Sequence, residues 1–239
     1  MEKQGLLYEG KAKRIYETNQ EDLLFVSYKD SATAFNGEKK AEITGKGRLN
    51  NEISTIIFEA LKAKGIENHF VQRVSETEQI VKKVNIVPIE VVVRNVIAGS
   101  LSKRLGIEEG TAMKKPIVEL YYKDDELGDP LINEDHVQLL EIATADQVET
   151  MKEMALKVNE VLLNHFVAAK VRLIDFKLEF GLTNEGILLL ADEVSPDTCR
   201  LWDLNTNEKF DKDVFRRDIG SLTDAYEEIL TRLGGNQYV

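Results

Sequence analysis

The chain has 239 residues, enough to bury roughly 72% of the surface that its unfolded form would expose, so a stable core needs no disulfide or metal staple. Its 31 Lys and Arg stand against 42 Asp and Glu, and the net charge of -11 works against the broad attraction to phosphate backbones on which nucleic-acid binding rests. No run of about eighteen apolar residues is present to span a bilayer, no apolar leader opens the chain, and the single cysteine, Cys199, excludes an intrachain disulfide; together these fit a cytoplasmic location.

In chain order, residues 6–9, 14–18 and 23–28 alternate as three short strands of an antiparallel meander. Leu49, Ile53, Ile56, Ile57, Ala60 and Leu61 then fall on one stripe of a helix, and Gly65 suits its left-handed cap. Strands return at 70–74, 79–84 and 86–94, with Pro88 expected at a strand start or on an edge. Thr144 and Gln147 make a capping box for a long amphipathic helix whose stripe runs from Val148 to Ala169. A final helix is expected to carry Val214, Ile219, Leu222, Tyr226, Ile229 and Leu233. Strands that cluster early, with helices interspersed and no regular βαβ rhythm, predict an α+β fold. Its two lobes, 1–85 and 86–239, should share one cleft.

Three segments carry the chemistry. As a strand, residues 173–181 put Ile174, Phe176, Leu178 and Phe180 on one face and Asp175, Lys177 and Glu179 on the other. Two carboxylates then flank one ammonium within about 14 Å at ~3.4 Å rise per residue, a row suited to a metal-phosphate site and equally to a solvated sheet face. Gly181 should close this strand, and the turn at 183–186 should bring residues 187–193 back as a hairpin. Register leaves open whether Asp192 or Glu193 joins the charged face. Residues 86–100 run from an apolar strand into Arg94 and then Ala98, Gly99 and Ser100, where a guanidinium and a hydroxyl can grip a phosphate monoester. Gly10, Lys11, Ala12 and Lys13 occupy the first hairpin turn, where N–H groups and cations can close over a polyphosphate or merely solubilise the turn. Ser195, Asp197 and Arg200 sit in a loop stiffened by Pro196 that can hold a polar ligand. The acid run at 124–130 reads as solvated, and His69, His136 and His165 lack zinc-ligand spacing. There is no P-loop and no kinase-like glycine loop.

Taken together, IVPIEVVVRNVIAGS at 86–100 and LIDFKLEFG at 173–181 resemble the signature segments of the SAICAR synthetase family. The likeness continues through residues 10–13, 101–107 and 192–203. It implies an ATP-dependent ligase that joins carboxyaminoimidazole ribotide to L-aspartate in purine biosynthesis, with an antiparallel N-terminal sheet lobe over an ATP-grasp-like lobe, and commonly a homodimer. It further implies Mg2+ at Glu179 and Asp192, which selects the hairpin register. Lys11 and Lys13 would cover the ATP phosphates, with adenine on the backbone between Val81 and Ile86. Lys177 would stabilise the transferring phosphoryl group. Arg94 and Ser100 would take the ribotide phosphate, and Asp197 and Arg200 its imidazole portion. Asp175 is the candidate for orienting Lys177 or for accepting the proton of the aspartate ammonium. The alternatives are a phosphotransferase that hands the γ-phosphate to a hydroxyl, and a non-catalytic nucleotide-sensing module.

Overall fold

A computed structural model describes residues 1–34 and 37–235. The chain opens with β1 (Lys3–Glu9), β2 (Lys13–Thr18), β3 (Leu23–Tyr28), a two-stranded ribbon of β4 (Ser31–Ala34) and β5 (Lys39–Glu42), helix α1 (Lys46–Ala63), β6 (Phe70–Arg73) and β7 (Glu78–Lys82). The first sheet runs β1-β2-β3-β7-β6 and is antiparallel throughout. Asp30 anchors the start of α1 by accepting the N–H groups of Gly45 at 3.1 Å and Gly47 at 2.8 Å. Gly65 lies past the end of α1 with φ +77°, the left-handed conformation its sequence position suggests.

At Lys83–Val84 the chain passes to a second sheet. There follow β8 (Asn85–Val96), α2 (Gly99–Leu105), β9 (Ala112–Tyr122), β10 (Leu131–Ile132), α3 (Glu134–Leu139), α4 (Ala145–Ala168), β11 (Val171–Leu182), β12 (Leu188–Ala191), β13 (Cys199–Asp203), α5 (Asp213–Arg217) and α6 (Leu222–Arg232). The sheet runs β10-β9-β8-β11-β12, and β13 pairs with the start of β11 beyond the end of β12. The Thr144–Gln147 capping box forms at α4. The main core joins α1, α4 and α6 to the inner face of this sheet, with Ile57, Phe58, Phe166, Phe176, Phe180 and Tyr226 fully buried. Thus α1, though it precedes the second sheet by more than twenty residues, shares one continuous core with it.

Four local expectations are corrected. Pro88 sits in β8, an interior strand flanked by β9 and β11; it is tolerated because the β8–β11 register slips there, between Glu179 opposite Glu90 and Gly181 opposite Ile86. Ile174 does not share the face of Phe176. A register shift between Leu173 and Asp175 turns the pleat, so Leu173 joins the main core while Ile174 packs with Ala98 and Trp202 on the reverse side. Gly181 lies inside β11, where a side chain would strike Val84. The final helix is two helices, α5 and α6, because Asp218 adopts φ 53° and ends the first.

Candidate active site

The two sheets enclose a cleft of about 810 Å³. Its walls carry Gly10, Lys11, Ala12, Lys13, Val81, Ile86, Arg94, Asp175, Lys177, Glu179, Asp192, Asp197 and Arg200. Ser100 stands behind Arg94, outside the lining, and accepts a hydrogen bond from Arg94 Nη2 at 3.0 Å. One end is apolar, built by Leu7, Ile15, Leu24, Val26 and Val81 of the first sheet with Val84 of the crossing segment and Ile86 at the start of β8. Such a surface accepts a flat heteroaromatic ring, and the adjoining backbone can read its edge.

The centre is ionic. On β11, Lys177 donates to Glu90 at 2.8 Å and to Glu179, and Lys123 reaches Glu179 at 3.0 Å. Glu179 is only 4% exposed, a depth at which a carboxylate needs such partners. Burial pulls the Lys177 ammonium down, but Glu179 and Glu90 more than offset it and hold it well above the ordinary lysine range. From the first hairpin Lys13 crosses the cleft to Asp192 and, at 3.0 Å, to Glu193. The register question has a double answer: β12 ends at Ala191 opposite Glu179, Asp192 turns into the left-handed region at φ 59°, and both acids face the cleft. Burial raises the Asp192 carboxyl, and the lysines Lys13 and Lys177 outweigh it, so it stays well below the usual carboxylate range. Lys11, by contrast, is exposed and pairs with Asp125 at 2.8 Å, so Asp125 of the supposedly solvated acid run lines the cleft.

At the far end Asp175 bridges two guanidinium groups, Arg94 at 2.8 Å and Arg200 at 2.9 Å. It does not orient Lys177, which Glu90 and Glu179 hold instead. Arg94, 3% exposed, also donates to Glu119 at 2.6 Å and to the Tyr121 hydroxyl at 3.0 Å. Arg200 is braced by Asp213 at 3.1 Å and lies over Gly99, whose missing side chain leaves room for the guanidinium. Asp197 accepts from Lys46 and from the Tyr226 hydroxyl, each at 2.6 Å. Sequence reasoning missed Glu90, Lys46, Lys123, Lys212 and Arg216. Glu90 was findable, since it shares the period-two face of Arg94 on β8; Lys46 was not, because its burial comes from tertiary packing. His69 is buried with Nε2 3.2 Å from the Asp192 carbonyl, and burial lowers it to about 4. Among the described residues no group of three or more His, Cys, Asp or Glu is gathered as a ready metal centre.

The family model of SAICAR synthetase matches residues 6–233. The chain belongs to the SAICAR synthetase family. It is 67% identical over 239 residues to the phosphoribosylaminoimidazole-succinocarboxamide synthase of Bacillus cereus, with all of both chains covered. Its fold superposes with a TM-score of 0.94 on the crystal structure of that synthase from Ehrlichia chaffeensis, at 45% identity over 96% of this chain and 98% of the other. A SAICAR synthetase solved in complex with ADP gives 0.92 at 50% identity, covering 95% and 97%. SAICAR synthetases are ATP-dependent ligases of purine biosynthesis that join carboxyaminoimidazole ribotide to L-aspartate with release of ADP and phosphate, and this chain is an enzyme of that class.

Proposed function

We propose that the cleft carries out this ligation through an acyl phosphate, with ATP lying from the apolar end to the lysine-rich centre and the ribotide at the arginine end. The observation that carries the reading is the row Glu90–Lys177–Glu179, met across the cleft by Lys13 of the covering hairpin. An ammonium fixed between acids, with a second cation on the hairpin opposite, is a preorganised field for a phosphoryl group in transfer. A carboxylate is a poor acceptor for an amine. Its oxygen therefore attacks the γ-phosphorus and ADP departs; the aspartate nitrogen then attacks the carbonyl carbon, a C–N bond forms, and the C–O bond to phosphate breaks. Residues 1–85 supply the covering sheet and 86–239 the base, with α1 of the first segment packed into the core of the base; the last four residues of the chain lie outside the described residues.

In the roles proposed here, Lys11 and Lys13 cover the phosphates and Lys177 steadies the transferring group. Arg94 and Ser100 hold the ribotide phosphate, with Asp197 and Arg200 on its imidazole side. Asp175 sets the two arginines rather than serving as a base, since both guanidinium groups already claim it. For magnesium the donor set fits: Glu179 and Asp192 offer hard carboxylate oxygens, and the lysines now on them are a countercharge that a divalent cation would replace, which would free their ammonium groups for the ATP oxygens. When bound there, the ion neutralises charge on the triphosphate. Family likeness supports a cytoplasmic homodimer, and the charge of -11 supports small-molecule rather than nucleic-acid partners. The test is isotopic. Ribotide labelled with oxygen-18 in its carboxylate should deliver one labelled oxygen to the released phosphate, and only when aspartate is present; unlabelled phosphate would overturn the acyl phosphate, and ADP release at full rate without aspartate would overturn the ligase.

A further inference from the structure

The turn that presents Ser100 is tied into a closed circuit of charge. Arg94 donates to the Ser100 hydroxyl at 3.0 Å and to Asp175 at 2.8 Å, and Asp175 also accepts from Arg200 at 2.9 Å. Arg200 donates in turn to Asp213, which pairs with Arg217, each at 3.1 Å. Arg217 grips both oxygens of Glu109, at 2.6 and 2.8 Å, and Glu109 accepts the N–H of Gly99 at 3.3 Å. Gly99 precedes Ser100 in the chain, so the circuit returns to the turn where it began. Six side chains of alternating sign thereby join β8, β11, β13, α5 and the segment between α2 and β9.

Arg94, Asp175 and Arg200 line the cleft, whereas Glu109 and Arg217 stand outside its lining. An exposed ion pair alone contributes little, but a two-pronged pair inside a network holds its members in one geometry. The backbone around Glu109 is itself fixed: Gly110 donates to the Ile97 carbonyl at 2.8 Å, and Ile97 donates to Thr111 at 3.0 Å, which stitches this segment to the residues entering the turn. Arg217, with Lys209 adding to its effect, outweighs burial and holds the Glu109 carboxyl down at about 2. Arg200 lies directly over Gly99, so the turn and this guanidinium shift together or not at all. Removing Glu109 would leave the Gly99 N–H and the Arg217 fork without their partner and open the circuit beside the turn. Cleft groups fixed in advance spare the ligand the cost of ordering them. We infer that Glu109, from outside the cleft, is a positioning residue for the ribotide: through Gly99 it fixes the turn that presents Ser100, and through Arg217 and Asp213 it fixes Arg200. The inference rests on the reading that puts the ribotide at the arginine end.

Steady-state kinetics of Glu109→Ala, Glu109→Gln and Arg217→Met test it. Glu109→Ala should raise the ribotide KM about five- to thirtyfold, with kcat at saturating ribotide and the KM for ATP within about twofold of the parent, a split that a merely structural acid would not produce. Glu109→Gln keeps an oxygen for the Gly99 N–H and should show the same split at smaller size; it carries the test if melting temperatures show that Glu109→Ala does not fold. Arg217→Met should also raise the ribotide KM, and its effect should shrink when it is added to Glu109→Ala, because either change opens the same circuit. A ribotide KM within about twofold of the parent in the folded Glu109 variants, an equal rise in the KM for ATP, or strict additivity of the two substitutions would overturn the assignment. Ser100→Ala separates this outcome from failure of the site reading. If it raises the ribotide KM and the Glu109 variants do not, only the role of Glu109 falls; if none of them does, the ribotide lies elsewhere and both readings fall.

Discussion

Arg94 shows how one side chain can join a binding role to a structural one. Its guanidinium is shared among Asp175, Glu119, Tyr121 and Ser100, so removing it strands buried acids, and breaking a buried pair from one side costs about 3 to 5 kcal/mol. Arg94→Met should lower the urea midpoint by that much stability, whereas Ser100→Ala, at an exposed residue, should leave folding within about 0.5 kcal/mol and still raise the ribotide KM roughly tenfold, as loss of a charge-assisted contact does. Equal stability loss in both variants would remove Ser100 from the site. Glu179→Gln keeps volume but halves the acid around Lys177 and Lys123, so turnover should fall by at least about tenfold and half-saturation by magnesium should shift upward; a parental magnesium titration would dissociate Glu179 from the metal. At this scale much of the site was legible, because Lys177, Glu179, Arg94 and Lys13 lie in short segments whose alternation fixes which way they face. The partners of Asp175 were not. They depend on the bulge at Leu173–Asp175 and on Arg200 arriving from β13, neither of which has a signature in period or spacing.

Among the elements, β11 bears the most consequence, since it pairs with β8 on one side and with β12 and β13 on the other and carries the charged row between them. Strand and helix positions were readable because hydrophobic period and caps are local: the stripe of α1, the Thr144 box and the first hairpin all form where the residues place them. Pro88 and the α5–α6 break were misread for one reason, that a register slip in a neighbouring strand and a left-handed Asp218 are decided by tertiary context. Gly181 tests how tightly β11 grips the crossing segment. A Cβ there would sit 2.5 Å from Val84 Cγ2 and 3.2 Å from the Asn85 carbonyl, too close for either to remain still. Gly181→Ala should therefore cost about 1 to 3 kcal/mol by overpacking. Because Val84 and Ile86 wall the apolar end of the cleft, the KM for ATP should rise several-fold while that for aspartate holds, and Val84→Ala in the same chain should return part of both losses. Unchanged ATP kinetics would mean that the crossing segment does not contact the base.

The molecule as a whole balances buried groups whose protonation biases folding in opposite senses. Asp211, fully buried, accepts the N–H groups of Leu201 and Asp213 at 2.8 Å each; burial, reinforced by Asp213, pushes it up to about 7 from the ordinary 3.8. Folded protein therefore holds a proton that unfolded chain has lost between those values, and stability from this source falls as pH climbs from about 4 to about 7. His69 acts the other way. With its folded value near 4 against an ordinary 6.5, the unfolded chain binds the extra proton, and stability from this source rises with pH across about 4 to 6.5. The two slopes overlap and oppose each other, and His165, which burial also lowers, adds to the rising one, so the parent protein should gain only modestly with pH over that window in urea unfolding. Asp211→Asn retains one acceptor and loses the other, a constant penalty, and removes the falling slope. Its stability should then climb with pH between about 4.5 and 6.5 more steeply than the parent's, so that the gap between the two narrows steadily toward neutrality. Parallel profiles for the two proteins would show that Asp211 ionises in the normal carboxylate range despite its burial, and the proposed compensation between the second-lobe acid and the cleft-side histidine would fall with it.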